Sequence, residues 1–431
     1  MDLFSYRDGV LHAEDVPLPA IASAAGTPTY VYSAGTIREH YARLVEAFAE
    51  LQPLVCYSIK SCGNLSICRL IGGLGGGMDV VSGGELARAR AAGVAAEKCV
   101  YAGVGKTDAE IRDAIEAGIG LLNVESEAEF ENIAAIAATM RRTVRCALRV
   151  NPDVDPQTHR YTSTGKKETK FGVDIERAKA FFDRYGRGEM ARFARLVGIH
   201  LHIGSPVLTT QPYVDAVNKT LVLVDELARG GQRIEVLDLG GGFGADYESA
   251  QSPLAADYAA AIVPLLADRV RAGLRIVLEP GRTIVANAGI LLLRVLYMKT
   301  SGDKSFAICD GGMNALLRPS HYNAFHFMWP VVPSAPFVPA RRAKEMEMPG
   351  LVSMDVVGPI CESGDFLALD RALPPLRRDD LLAVFTAGAY GMSMASRYNS
   401  SPLPAEVLVD GADFRVVRRR ETHEDLVAHE R

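Results

Sequence analysis

From Val55 onward the chain repeats one pattern of apolar and polar positions. Short apolar runs occur at Val55–Lys60, Met78–Ser82, Val100–Gly103, Leu121–Ser126, Ala147–Asn151, Gly198–Ser205, Val236–Gly242 and Ile276–Gly281. Each is β-branched or Leu-rich and ends in Gly, Ser, Asn or a charged residue, as strands buried on both faces do. Five stretches between them carry apolar residues at helical spacing: GELARARAAG, DAEIRDAIEAG, SEAEFENIAAIAATM, YVDAVNKTLVLVDELARGG and DYAAAIVPLLADRVRAG. Four end near a Gly stop, and Ser126 with Glu129 has capping-box spacing. Early runs end near residues 60, 82, 103 and 125, about 22 residues apart. A strand, a crossover helix and a strand in one sheet pair in parallel. An open doubly wound sheet uses the same units, but eight in succession predict a closed (β/α)8 barrel of about 250 residues.

Beyond residue 286 the pattern changes to short alternating or apolar runs separated by Pro and Gly, without long helical stretches. The first residues read similarly, with a hairpin expected to turn at Asp8-Gly9. The predicted architecture is therefore α/β plus all-β, a (β/α)8 barrel with a C-terminal β domain. Residues 1–36 are expected to join the β domain, 37–285 to form the barrel, and 286–431 to form the β domain. Asp153–Thr169 and Trp329–Gly350 are expected to be loops.

Composition narrows the function classes. A net charge of -5 over 431 residues excludes a generally basic nucleic-acid binder. No apolar run approaches the roughly 18 residues that span a bilayer, and Gly289–Met298 is interrupted by Arg294. The amino terminus lacks the basic-then-apolar order of a signal peptide. Seven cysteines without a CxxC pair suit a reducing cytoplasm and argue against a zinc ribbon. The expectation is a cytoplasmic enzyme with no membrane or nucleic-acid partner.

A (β/α)8 barrel places its chemistry at the carboxyl ends of the strands. Lys60 closes the first run, where it could form a Schiff base or simply reach solvent. His200 and His202 share a side by period two. Paired histidines suggest a metal, yet no Asp, Glu or Cys stands at ligand spacing beside them. His202 could instead stack on a planar ligand, with His200 a packed core residue. Gly240, Gly241 and Gly242 after the seventh run are placed to cradle a phosphate. Glu279 and Arg282 end the eighth; they could hold a ring nitrogen and an anion, or pair with each other. A lysine, a histidine, a phosphate loop and a carboxylate are the parts of a pyridoxal phosphate site.

With those residues in view the chain resembles the fold-type III pyridoxal-phosphate decarboxylases, and within them the diaminopimelate decarboxylase family. The matching stretches are YSIKSCGN, GMDVVSGGEL, NVES, KFGVD, HLHIGS, DLGGGFG, EPGR, GGMNALLRPSHYNAFH, GPICESGD and AGAYGMSM, in the family's order over most of the chain. The resemblance implies that Lys60 carries pyridoxal 5'-phosphate and His202 stacks on its ring. It implies that Ser205, Gly240, Gly241, Gly242 and Arg282 hold the phosphate, Glu279 pairs with the ring nitrogen, and Tyr390 closes over the phosphate side. Arg282, Arg318, Tyr322 and Tyr390 are implied substrate contacts. Cys361, the implied general acid, and Glu362, the implied reader of the distal ammonium, come from the other chain of a homodimer with shared active sites. No metal is implied. The implied reaction converts meso-2,6-diaminopimelate to L-lysine and CO2. The alternatives are a decarboxylase of ornithine, lysine or a carrier-bound amino acid, a catalytically silent binding homologue, and a metal-dependent barrel hydrolase. Pro206, where Gln is common, and His321 lie beside the implied substrate wall and leave room for an altered substrate.

Overall fold

The computed structural model describes residues 2–155, 170–248 and 252–430. The expected loop therefore lies mostly outside the described residues. The chain divides into two compact units, one of residues 41–244 with 252–282 and one of 1–40 with 245–251 and 283–431.

The first unit is a closed parallel barrel. Its strands are β1 (Leu54–Ser58), β2 (Gly77–Val80), β3 (Cys99–Tyr101), β4 (Leu121–Val124), β5 (Val144–Asn151), β6 (Ala194–His200), β7 (Val236–Asp238) and β8 (Arg275–Leu278). Each pairs in parallel with the next, and Val277 of β8 lies beside Leu54 of β1 to close the ring. Seven strands contribute Cys56, Val100, Leu121, Ala147, Val197, Val236 and Val277 to one buried cluster. Such layers make the barrel interior a packed core.

Two residues further along the same strands the inward side chains turn polar. Ser58 follows Cys56, Asn123 follows Leu121, Arg149 follows Ala147, Asp238 follows Val236 and Glu279 follows Val277, and all five are buried. Strand β6 reaches the same layer by three, because the register shifts between Leu196 and Gly198. That bulge aligns His200 with Arg149 on one side and Asp238 on the other.

All five expected helices form, at Gly83–Ala91, Asp108–Ala117, Glu127–Thr139, Gln211–Arg229 and Ala255–Arg271. Helices at Ala34–Ala47, Leu65–Gly73 and Ile175–Tyr185 add to them. Only half of the expected capping box is made. Ser126 accepts the Glu129 N–H at 3.2 Å, but the Glu129 carboxylate takes the Glu125 N–H at 2.6 Å and the Lys106 ammonium at 2.9 Å.

The second unit is built on a sheet in which Thr29–Ser33 lies between Gly289–Ser301, antiparallel, and Ala405–Asp410, parallel. Lys304–Cys309, Val352–Val357 and Phe366–Leu373 extend it on one side and Asp413–Arg418 on the other. The Phe4–Arg7 and Val10–Ala13 strands form the hairpin, with Asp8 and Gly9 both at positive φ. The Pro-rich stretch after residue 328 is not wholly loop. Trp329 lies in a strand, Met328–Pro330, fully buried, with its indole N–H on the Phe337 carbonyl at 2.8 Å.

Candidate active site

At the carboxyl end of β1 the chain tightens into a short 3-10 turn, Ile59–Ser61, which carries Lys60. Lys60 Nζ lies 2.7 Å from Asp79 Oδ2, which also accepts the Ser58 hydroxyl. Asp79 is fully buried on β2, and among the described residues its second oxygen has no hydrogen-bond partner. Burial raises the Asp79 carboxyl, Glu279 adds to the rise, and Lys60 opposes it.

Glu279 ends β8 and is reached by His200 Nε2 and Asn123 Nδ2, each at 3.3 Å. Burial pushes its carboxyl up, but His200 and Lys60 outweigh that and hold it below the usual carboxylate range. His202 accepts the Gly241 N–H on Nδ1 at 3.3 Å, which leaves the ring proton to Nε2. Loss of hydration, with Arg149 and Lys60 adding, pushes that imidazole well below its usual range and keeps it neutral.

The glycine run packs the loops after β6, β7 and β8 together. A Cβ on Gly240 would strike the Leu201 carbonyl, and one on Gly242 the Gly204 carbonyl; both also have positive φ. The Gly240 and Gly241 N–H groups are already given to Asp238 Oδ1 and His202 Nδ1. Among the described residues Gly242 carries no such commitment. Arg282 Nε lies 3.3 Å from Ser205 Oγ, so the arginine turns to the serine while Glu279 turns to His200 and Asn123. The Glu279–Arg282 pairing that the sequence left open does not form.

The second unit holds the other expected residues. Arg318 is buried, its Nε 3.3 Å from His326 Nε2, and its guanidinium lies over the rings of Tyr247 at 5.0 Å and Tyr322 at 5.9 Å. His326 Nδ1 faces the Phe385 carbonyl at 2.9 Å, so that nitrogen carries the proton and Nε2 accepts from Arg318. His321 is exposed and meets Tyr322 edge to face at 4.5 Å. Cys361 is the one exposed cysteine of seven, and Glu362 beside it accepts the Tyr398 hydroxyl at 2.9 Å. Tyr390 has a φ of 56°, a backbone conformation that side chains rarely adopt and that concentrates at functional sites.

Residues 34–286 match the family model for the pyridoxal-binding domain of pyridoxal-dependent decarboxylases. The chain is 48% identical to diaminopimelate decarboxylase of Pseudomonas aeruginosa, over 100% of this chain and 99% of that one. It is 44% identical to the enzyme of Aquifex aeolicus, over 98% and 96%. The crystal structure of the Helicobacter pylori diaminopimelate decarboxylase complexed with L-lysine superposes with a TM-score of 0.88 at 38% identity, covering 96% of this chain and 99% of that one. The chain belongs to the diaminopimelate decarboxylase family.

Pyridoxal phosphate is therefore its cofactor, and the barrel residues fit it chemically. An amine on a buried carboxylate suits an aldehyde. A neutral imidazole suits an aromatic face, and an anionic Glu279 suits a basic ring nitrogen. Arg282, Ser205 and the glycine loop suit a phosphate.

One expectation from sequence needs correction. His200 does have carboxylate neighbours, Asp238 and Glu279, all three offering ligand-type atoms within 4.8 Å of one another. They are 38 and 79 positions along the chain, on neighbouring strands, so local spacing does not reveal them. Asp79, Asn123, Arg149, Asp238, Tyr247 and His326 also escape the sequence reading. For the barrel residues the available signal was a polar residue at an inward position of an otherwise apolar run.

Proposed function

We propose that the chain decarboxylates meso-2,6-diaminopimelate to L-lysine and CO2 as a cytoplasmic homodimer with shared active sites. The observation that carries the substrate reading is Arg318, a buried guanidinium fixed by His326 and framed by Tyr247 and Tyr322. A cation held that rigidly suits bidentate recognition of a carboxylate, which diaminopimelate keeps at its distal carbon and ornithine and lysine lack.

Bound pyridoxal phosphate supplies the electron sink for the pair left behind when CO2 departs. The protein's own work is to bind, orient and move protons. Lys60 Nζ would hold the cofactor, and beside Asp79 Oδ2 it is placed to carry a proton. Glu279 would hold a negative charge toward the ring nitrogen, and neutral His202 would lie against the ring without competing for that charge. Ser205, Arg282 and the Gly240–Gly242 loop, with Tyr390, take the phosphate. Arg318, Tyr322 and Arg282 bind the retained carboxylate, and Glu362 takes the distal ammonium. The Cys361 thiol delivers the proton that replaces CO2.

The test is CO2 and L-lysine release from meso-diaminopimelate with and without added cofactor, with ornithine and lysine as competitors. Arg318→Ala is expected to raise KM for diaminopimelate far more than it alters cofactor binding. Faster turnover of ornithine by the wild type, or an Arg318→Ala variant with unchanged kinetics, would overturn the substrate reading.

A further inference from the structure

Three ionisable side chains meet inside the barrel at the ends of β6, β7 and β8. His200 is 1% exposed, Asp238 0% and Glu279 3%. His200 Nε2 lies 3.3 Å from Glu279 Oε2. Asn123, from β4, sends its amide to Glu279 Oε1 and to Asp238 Oδ2, each at 3.3 Å. The other Asp238 oxygen accepts the Gly240 N–H at 3.0 Å. The geometry points to His200 as a positioning residue that clamps the Glu279 carboxylate through Nε2–H, with Asn123 and Asp238 completing the clamp.

This deepens the reading above and rests on it, because the clamp matters through Glu279 facing the cofactor ring. Two carboxylates this close and this dry cannot both be charged. Burial, with Glu279 adding, pushes the Asp238 carboxyl well up, so Asp238 keeps the proton and Glu279 the charge. A buried carboxylate without fixed donors would turn toward whichever donor is nearest and lose its aim. His200 fixes one Glu279 oxygen and Asn123 the other. Among the described residues His200 Nδ1 has no hydrogen-bond partner, so within them the ring is held through Nε2 and its packing.

A divalent cation is the competing occupant of such a trio. The donors argue against it. Asp238 Oδ1 faces an N–H, and Asp238 Oδ2 and Glu279 Oε1 face an amide, so three of the four carboxylate oxygens already accept hydrogen bonds from donors outside the trio, and the fourth faces His200. A cation would have to displace them.

The experiment measures cofactor dissociation from apoprotein by fluorescence titration, and thermal melting of the apoprotein, for His200→Leu, His200→Gln, Glu279→Gln and the His200→Leu/Glu279→Gln pair. His200→Leu keeps apolar bulk without the donor and is expected to weaken cofactor binding about tenfold, near 1.4 kcal/mol. His200→Gln restores a donor and should recover most of that loss. In the Glu279→Gln background His200→Leu should add less than about twofold. The inference is overturned if Leu and Gln behave alike at position 200, or if the His200→Leu loss persists at full size without the Glu279 charge. Stoichiometric, chelator-sensitive zinc in purified apoprotein would overturn it in favour of a metal centre. Wild type that binds no cofactor would instead sink the functional reading, while the melting cycle between His200 and Glu279 still tests the clamp.

Discussion

Breaking the ion pair at the ends of β4 and β5 gives a sharp test of how the barrel tolerates charge. Arg149 Nη1 lies 2.8 Å from Glu125 Oε1, both side chains are buried, and the guanidinium sits 4.6 Å from the Phe171 ring centre. Glu125 also accepts the Gly103 and Gly172 N–H groups at 3.1 and 2.9 Å. Arg149→Met keeps the aliphatic stem but strands the carboxylate with two backbone donors. The lost charge-assisted hydrogen bond is worth about 1.5–3 kcal/mol and the stacked cation about 1 kcal/mol. Together they fall near the 3–5 kcal/mol known for breaking a buried pair. Urea unfolding at pH 7 should show that loss. Adding Glu125→Gln should recover about 1–2 kcal/mol by removing the stranded charge, only part of the loss because one N–H then faces an NH2 group. The pH dependence has a definite sign. In the wild type burial pushes Glu125 up, but Arg149 outweighs it and holds the carboxyl below its usual value. That stabilisation is present above the unfolded-state pKa and is lost as pH falls through the folded one. Without Arg149 the effect of burial is opposed only by His200, Lys106 and the two backbone donors, so the carboxyl rises and the penalty of the variant must shrink on acidification from pH 7 to 4.5. A cost below about 1 kcal/mol, a penalty that grows on acidification, or further loss on adding Glu125→Gln would refute the reasoning.

Glu85 is raised to about 7, chiefly by burial. Its contribution to stability is therefore complete below about 4.5 and is lost as pH rises through 7, a change of at most about 3 kcal/mol and about 1–2 kcal/mol after allowing for partial exposure. Glu85→Gln should flatten that part of the stability profile between pH 5 and 8, and an unchanged slope would count against it. Because Cys361 alone among the seven cysteines is exposed, a thiol reagent should modify one cysteine per native chain quickly and the other six only on unfolding. That single modification should abolish decarboxylation; fast reaction of several thiols contradicts the burial pattern. If active sites are shared, mixing inactive Lys60→Ala and Cys361→Ala chains should restore about a quarter of wild-type activity through heterodimers. No recovery after subunit exchange is demonstrated by mass would exclude sharing.

What could be read from the sequence follows from which information is local. The β-α rhythm repeats over short distances, so eight strands and five helices emerge from it. Helix Ala34–Ala47 is local in the same way, since Ile37, Tyr41, Leu44 and Phe48 mark a helical face, although it lies before the first repeat of that rhythm. The strand-end residues are legible because a lysine, glutamate or histidine closing an apolar run costs too much to be incidental. Their partners are not. Counting by two from Val197 reaches Ile199 and would turn His200 away from Asp238 and Glu279; the register shift before Gly198 turns it inward. Nothing in HLHIGS announces that bulge, because it exists only as a mismatch in pairing between β5 and β6. The same holds for Arg318. Its motif is legible, but Tyr247 and His326 become its neighbours only through folding. Local sequence therefore names the groups that do chemistry, while register and packing decide their charge states and aim. Substitutions at His200, Asn123 or Asp238, each inside a quoted motif but without an assigned role there, are accordingly the ones most able to spoil a site whose assigned residues all remain intact.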